Sequence, residues 1–174
     1  MPRLIRHLLP GVVVLIAAHS ASAQGVRVKL PAWSEPVMLD SMRQETPINA
    51  APERVYAGVQ KAFFDLGLPI GNTDSKAGII GSERFERTHQ IAGAPMSRSF
   101  SCGDAANGPV ADSYRITIAI VVWVTPGKTG GTTLGLAAAA SGVDQSGAYK
   151  NPRECASTGR IEQKIIEAVE KYIK

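Results

Sequence analysis

The segment 113–141, SYRITIAIVVWVTPGKTGGTTLGLAAAAS, decides the fold because it predicts two long strands joined by one turn. Apolar residues alternate along Ser113–Thr125, as a β-strand requires, and again along Thr132–Ser141 after the glycine-rich turn. The residues that this alternation assigns to the core are Tyr114, Ile116, Ile118, Ile120, Val122, Val124, Leu134, Leu136, Ala138 and Ala140.

Two amphipathic helices are predicted outside this pair of strands, at Pro52–Leu66 and Thr158–Ile173, from apolar residues spaced three and four apart. Two further strands, Gly78–Thr88 and Ser97–Cys102, are expected between them, paired across the turn at 93–95. The sequence therefore predicts an α+β fold of order α-β-β-β-β-α. Both helices are expected on one face of an antiparallel sheet of about four strands.

Residues 1–23 have the parts of a secretory signal peptide. Arg3 and Arg6 precede an apolar run of 11 residues, which is about half the length of a membrane-spanning helix. A small-residue site at its end predicts cleavage between Ala23 and Gln24. We therefore expect a periplasmic or secreted protein with no membrane span after cleavage.

The remaining chain is expected to form an extended leader, residues 24–49, and a single α+β domain, residues 50–174. Cleavage removes Arg3 and Arg6 from a total of 19 Lys and Arg, which then only slightly exceed 15 Asp and Glu. Because Lys and Arg form no continuous run, nucleic acid is not an expected partner.

Two cysteines, Cys102 and Cys155, are present, and in an oxidising compartment such a pair is expected to form a disulfide. The alternative is a metal or catalytic role, which needs additional His or Cys ligands. His89 is the only histidine after residue 23, so we predict no metal and no cofactor.

No catalytic residue is predicted. His89 lacks a Gly-x-Ser-x-Gly partner motif. The tripeptide 127–129 resembles the end of a phosphate-binding loop, but Val122 stands where that loop needs glycine, which favours a hairpin turn. Glu83 and Glu86 are three residues apart, which places them on opposite faces of a regular strand.

The second face of the two long strands is also apolar and built from small residues. A flat apolar patch beside a tryptophan is typical of a partner surface. The predicted partner surface consists of Ala119, Val121, Trp123, Ala137 and Ala139. The alternative is that the leader folds back over this face through Trp33 or Met38.

The runs Ala51–Tyr56 and Leu66–Ile70, followed by Asp74 and Gly78–Ile80, resemble the helix-grip repeats of BamC-like lipoproteins of the outer-membrane β-barrel assembly machine. The resemblance covers about 30 residues. It implies a helix-grip-like envelope domain that binds proteins and performs no chemistry. Unlike that family, this chain has no lipid-anchor cysteine and a length for one repeat rather than two.

These features favour a non-catalytic interaction module of the cell envelope whose partner is an unidentified envelope protein. The alternatives are a carrier of a small apolar ligand, held between sheet and helices, and an enzyme. A large apolar cavity favours the carrier, whereas convergent polar side chains in a cleft favour the enzyme. A filled core with an exposed Trp123 face favours the module.

Overall fold

The computed structural model of this 174-residue chain describes residues 25–128 and 130–174. The predicted signal peptide, residues 1–23, and the predicted cleavage site between Ala23 and Gln24 lie outside the described residues. No helix within the described ranges has the length and apolar character that crossing a bilayer requires.

The described residues form two long helices, three short 3-10 turns and a largely antiparallel set of strands. The helices are α1 (Pro52–Asp65) and α2 (Arg160–Ile173). The strands are β1 (Arg27–Val28), β2 (Val37–Met38), β3 (Gln44–Ile48), β4 (Asn72–Asp74), β5 (Ile79–Thr88), β6 (Gln90–Ile91), β7 (Ala94–Pro95), β8 (Phe100–Ser101), β9 (Asp104–Ala105), β10 (Gly108–Pro109), β11 (Arg115–Pro126), β12 (Thr132–Val143) and β13 (Arg153–Ser157). The prediction of a mixed α+β fold with two helices is confirmed.

The prediction of a four-stranded sheet is wrong, because the main sheet has seven strands. Its order is β4-β5-β11-β12-β13-β8, and β3 pairs with β12 along Thr132–Leu136. Strand β13 pairs with the same edge of β12 further along, at Ala140–Gly142. The additional strands are short and lack clear alternation. They pair where the longer strands leave backbone groups without partners.

The predicted pairing of Ser97–Cys102 with the strand at 78–88 is also wrong. This segment forms a 3-10 turn and then β8, which pairs with β13 instead. The backbone of Ser99 accepts a hydrogen bond from Thr158 N at 3.0 Å, so this segment is held beside the start of α2. These contacts are distant in sequence, and the local pattern of apolar residues contains no information about them.

Both helices bury their apolar stripes against one face of the sheet, in a cluster that also contains the core residues of β11 and β12. The helices contact each other as well, and the hydroxyl of Tyr172 on α2 donates a hydrogen bond to the Asp65 carboxylate on α1. This bond raises the pKa of the Tyr172 phenol. The buried apolar side chains of the helices are Val55, Val59, Ala62 and Phe63 on α1, and Ile161, Ile165, Ala168 and Val169 on α2.

The predicted disulfide is confirmed: Cys102 and Cys155 are bonded across 53 residues of sequence. Cys102 follows β8 directly and Cys155 lies in β13, so the bond reinforces the pairing of these two short strands. Both cysteines are buried.

We expect Gly78→Ala to lower the free energy of unfolding by at least about 2 kcal/mol, because two penalties combine at this position. Gly78 has φ 68°, and a Cβ there would lie 2.1 Å from the carbonyl oxygen of Val124. Gly67 has φ 63° but nothing within 4 Å of such an atom, so Gly67→Ala is the control, with an expected loss of about 1 kcal/mol. Urea unfolding measures both, and equal losses would contradict the steric argument.

Candidate interaction surface

The predicted partner surface is buried, so the expectation that it is exposed is corrected. Trp123 is 5% exposed. The other members of the predicted surface, Ala119, Val121, Ala137 and Ala139, are buried with it in a second apolar cluster. The residues that cover them come from the leader, which is the alternative that the sequence allowed.

The leader residues that form this cover have mostly aliphatic side chains. Val28, Leu30, Val37 and Leu39 are buried in the second cluster, and Trp33 packs against it. Both residues expected to cover this face, Trp33 and Met38, are half-buried, and Trp33 is the one that packs against the second cluster. The alternation of Val26, Val28 and Leu30 was the available signal for this arrangement.

Polar contacts fix the leader at several points along the sheet. Ala32 N donates to the hydroxyl of Ser141 at 3.0 Å, and the hydroxyl of Thr132 donates to the carbonyl of Ala50, directly after the leader, at 2.6 Å. The guanidinium of Arg43 stacks over the Trp123 ring, 5.5 Å from its centroid. The leader is thus attached near both ends of β12 and beside the Trp123 ring.

Small residues on β12 allow the leader to approach the sheet closely. A Cβ built on Gly135 would lie 2.3 Å from Nε of Arg43, so a larger residue there would displace the arginine from the Trp123 ring. The alanines that predicted a flat partner surface therefore accommodate a segment of the same chain. The two central strands, β11 and β12, are consequently covered on both faces, so neither of these faces is open to a partner.

The residues of a serine-type relay meet in the structure, but in the wrong order for catalysis. The Ser97 hydroxyl and backbone N both donate to the Asp112 carboxylate at 2.7 Å. Nδ1 of the exposed His89 lies 2.7 Å from the backbone carbonyl oxygen of Asp112. A relay instead needs the hydroxyl bonded to the imidazole and the imidazole to the carboxylate. These contacts hold two turns together.

Within the described part of the chain, no group of three or more His, Cys, Asp or Glu residues is arranged to hold a metal ion. Glu162 is a buried carboxylate at the start of α2 that accepts a hydrogen bond from Ser157 at 2.6 Å. Since Gly159 N also donates to the Ser157 hydroxyl, the Ser157 side chain connects Glu162 in the first turn of α2 to the residue that precedes the helix.

One side of β5 carries a strand edge that is only partly paired. Strand β4 covers Ile79–Gly81 alone, and no other strand among residues 25–128 and 130–174 pairs with the rest of that side. The unpaired part is Ser82–Thr88, and its middle reads Glu83-Arg84-Phe85-Glu86-Arg87. Such an edge is a template for another strand.

A β-bulge shapes this edge. Ser82 and Phe85 pair with Ile120 and Ile118 of β11, so Glu83 and Arg84 both lie opposite one residue. The bulge keeps Phe85 in the core while Glu83 and Glu86 stay exposed. The two carboxylates have different partners. Glu83 accepts a hydrogen bond from Asn72 at 3.0 Å, and Glu86 forms a salt bridge with Arg115 at 3.6 Å.

Two exposed apolar side chains lie at the end of α1 and in the segment that connects α1 to β4. Phe64 is 84% exposed and Ile70 is 41% exposed. The connecting segment is held beside β5, because Arg87 Nη2 donates to Gly67 O at 3.1 Å and Gly71 N donates to Gly81 O at 2.9 Å. We call Ser82–Thr88, Phe64 and Ile70 together the edge surface.

Two depressions on the described part of the chain are open to solvent. One of about 330 Å³ lies at the bulge, between Gly71–Asn72 and Ser82–Arg84, and therefore borders the edge surface. Another of about 270 Å³ lies at the start of α1, beside Tyr56 and Gly78. Burial from solvent raises the pKa of the Tyr56 phenol, and the nearby Asp74 charge raises it further.

The sequence matches no known protein-family model, and no curated protein sequence matches it significantly. The resemblance to BamC-like domains therefore stays a prediction.

Proposed function

We propose that this chain is a non-catalytic, extracytoplasmic protein-interaction module of the cell envelope, and that it binds partners through the edge surface. The signal-peptide pattern at residues 1–23 supports export. The Cys102–Cys155 bond is compatible with an oxidising compartment. The resemblance to BamC-like domains, which bind proteins, points to the same class of function.

The observation that carries the proposal is the exposure of Phe64 next to an unpaired strand edge. The chain has four phenylalanines, and the other three, Phe63, Phe85 and Phe100, are buried. A single exposed apolar residue is ordinary, but Phe64 and Ile70 lie at the end of α1 and in the segment held beside an edge whose backbone can accept another strand. Exposed aromatic anchors beside unpaired backbone are typical of protein-binding sites.

The carrier hypothesis receives less support. Phe63, Ile118 and Ile165 are fully buried in the space between sheet and helices, where a ligand was expected. The leader fills the opposite face in the same way. Because the interior is filled, a surface site for an extended segment of another protein is better supported than an internal ligand site.

Quantitative capture from envelope extracts tests the proposal. We expect Phe64→Ser/Ile70→Ser to reduce the captured partner about tenfold or more, as loss of an aromatic anchor does. The matched control is Met42→Ser/Tyr149→Ser, which changes two large apolar residues elsewhere on the surface, exposed at 37% and 58%. Equal capture by both double variants would reject the edge surface. Co-purification of lipid without protein would support the carrier instead.

A further inference from the structure

We propose that Arg153, which is held over the rings of Tyr114 and Tyr149, binds the carboxylate group of a small molecule. The guanidinium carbon lies 6.0 Å from the centroid of the Tyr114 ring and 5.4 Å from that of the Tyr149 ring. Arg153 begins β13, and two strands, β11 and β12, separate β13 from β5 in the sheet. The site is therefore distinct from the edge surface, and it does not depend on the proposed function.

The free donors of this guanidinium carry the inference. Three arginines of the described residues are half-buried, and two of them donate to protein acceptors, Arg43 to Glu45 and Arg87 to Gly67 O. Within the same described ranges, the third, Arg153, has no carboxylate at ion-pair distance and no hydrogen-bond acceptor for its side chain. A guanidinium presents five N–H donors in a planar fork and stays charged in proteins. These donors are available to an anion from solution.

The disulfide and a buried ring hold the guanidinium in place. Arg153 precedes Cys155 by two residues, so both side chains project from the same face of β13. The loop that follows Cys102 lies beside it, because a Cβ built on Gly103 would be 3.6 Å from Nη1 of Arg153. Tyr114 is buried in the core cluster on this face. The arginine is therefore supported on two sides by parts of the fold that are fixed.

A glycine on β12 makes room for the Tyr114 ring. Gly142 pairs with Ile116 of β11 on one side and with Arg153 of β13 on the other. A Cβ at this position would lie 3.3 Å from Cδ2 of Tyr114, which is closer than the best separation of two carbon atoms. The absence of a side chain on Gly142 therefore lets the ring lie across β12 toward Arg153.

Tyr149 supplies an accessible ring at the same place. It is 58% exposed and belongs to the loop that connects β12 to β13. The Asp144 carboxylate folds this loop by accepting hydrogen bonds from Tyr149 N and Ser146 N, both at 2.9 Å. Asp144 is thus bound within its own loop, and the Tyr149 ring is positioned beside the guanidinium.

A carboxylate suits this site better than a phosphate does. One guanidinium matches the single charge and the planar, bidentate geometry of a carboxylate. A phosphate group carries about two charges and is better matched by several cations or by a helix N-terminus. The exposed ring of Tyr149 adds apolar area on which another part of the same molecule can pack. The expected ligand is therefore a small carboxylic acid that also contains an apolar ring.

Titration of the ¹⁵N-labelled mature protein, followed by the backbone amide signal of Gly103, tests the site with four probes. We expect benzoate to bind with a dissociation constant on the order of 1–10 mM, as suits a ligand of this size. Benzamide has the shape of benzoate without its charge, acetate has the charge without the ring, and inorganic phosphate is a different anion. Each of these three is expected to bind at least about fivefold more weakly.

Three variants identify the residues responsible. Arg153→Gln is expected to weaken benzoate binding about tenfold or more. Tyr149→Ala changes an exposed residue and is expected to weaken the binding of benzoate but not that of acetate. The control is Arg98→Gln, which removes the same charge from an exposed arginine and is expected to leave binding unchanged. Circular dichroism of each variant checks folding.

The proposal would be overturned if benzoate caused no saturable shift, or if Arg153→Gln bound it as tightly as the wild type. Benzamide or phosphate binding as tightly as benzoate would equally exclude a carboxylate site. Capture of a protein partner through Phe64 is a separate measurement on another surface. The failure of either proposal therefore leaves the other to be judged on its own result.

Discussion

Loss of the Cys102–Cys155 bond is expected to lower the free energy of unfolding by about 4 kcal/mol, the value that chain entropy gives for a loop of this size. Without the bond, the unfolded chain gains freedom across 53 residues, while the folded chain still joins the two segments through the pairing of β8 with β13 and the hydrogen bond from Thr158 N to Ser99 O. Urea unfolding of Cys102→Ala/Cys155→Ala, followed by far-ultraviolet circular dichroism, measures the loss.

Reducing agent provides the control for this prediction. It is expected to shift the unfolding midpoint of the wild type to that of the double variant and to leave the variant unchanged. Alanine suits the test because both cysteines are buried and serine would add a buried hydroxyl without a partner. A loss below about 1 kcal/mol would show that the bond constrains the unfolded chain far less than its length implies.

Leu30→Ala and Leu39→Ala are each expected to cost about 2–5 kcal/mol, the range for truncating a fully buried leucine. Both side chains have no exposed area and belong to the leader, in the cluster that contains Trp123. If the leader is an integral layer of the fold, its residues behave as core residues. Met42→Ala is the control in the same leader, because Met42 is 37% exposed and its loss is expected to cost less than about 0.5 kcal/mol.

The two tryptophans report directly on this interface. Trp33 and Trp123 are the only tryptophans of the chain, and both belong to or pack against the second cluster. Detachment of the leader is therefore expected to shift tryptophan emission to longer wavelength and to increase quenching by acrylamide. Losses as small in Leu30→Ala and Leu39→Ala as in Met42→Ala, with unchanged emission, would contradict a tightly packed leader.

Most of the elements that carry the fold were predictable from local pattern. Both helices, and the strands β5, β11 and β12, begin and end within about two residues of their predicted bounds. Their periodicity is long enough to be unambiguous, since each spans at least 10 residues. The strands that were missed or wrongly paired, such as β3, β4, β8 and β13, are two to five residues long.

The candidate interaction surface was not predictable in the same way. The alternation on β11 and β12 correctly identified a second apolar face, but whether a partner or the leader covers such a face depends on contacts between distant residues. The charges of Glu83–Arg87 were visible in the sequence. Their position on a part of the β5 edge with which no other described strand pairs was not, because it depends on where β4 stops pairing with β5.

The sequence by itself determined the α+β class, the long helices and strands, and the pair of cysteines that form a disulfide. The class and the long elements follow from the periodicity of apolar residues, and the disulfide follows because the chain has only two cysteines. The tertiary structure alone decided the order of the seven strands, the covering of Trp123 by the leader, and the part of the β5 edge with which no other described strand pairs. Short segments have little intrinsic preference, so their places are set by which backbone groups and apolar surfaces the larger elements leave uncovered.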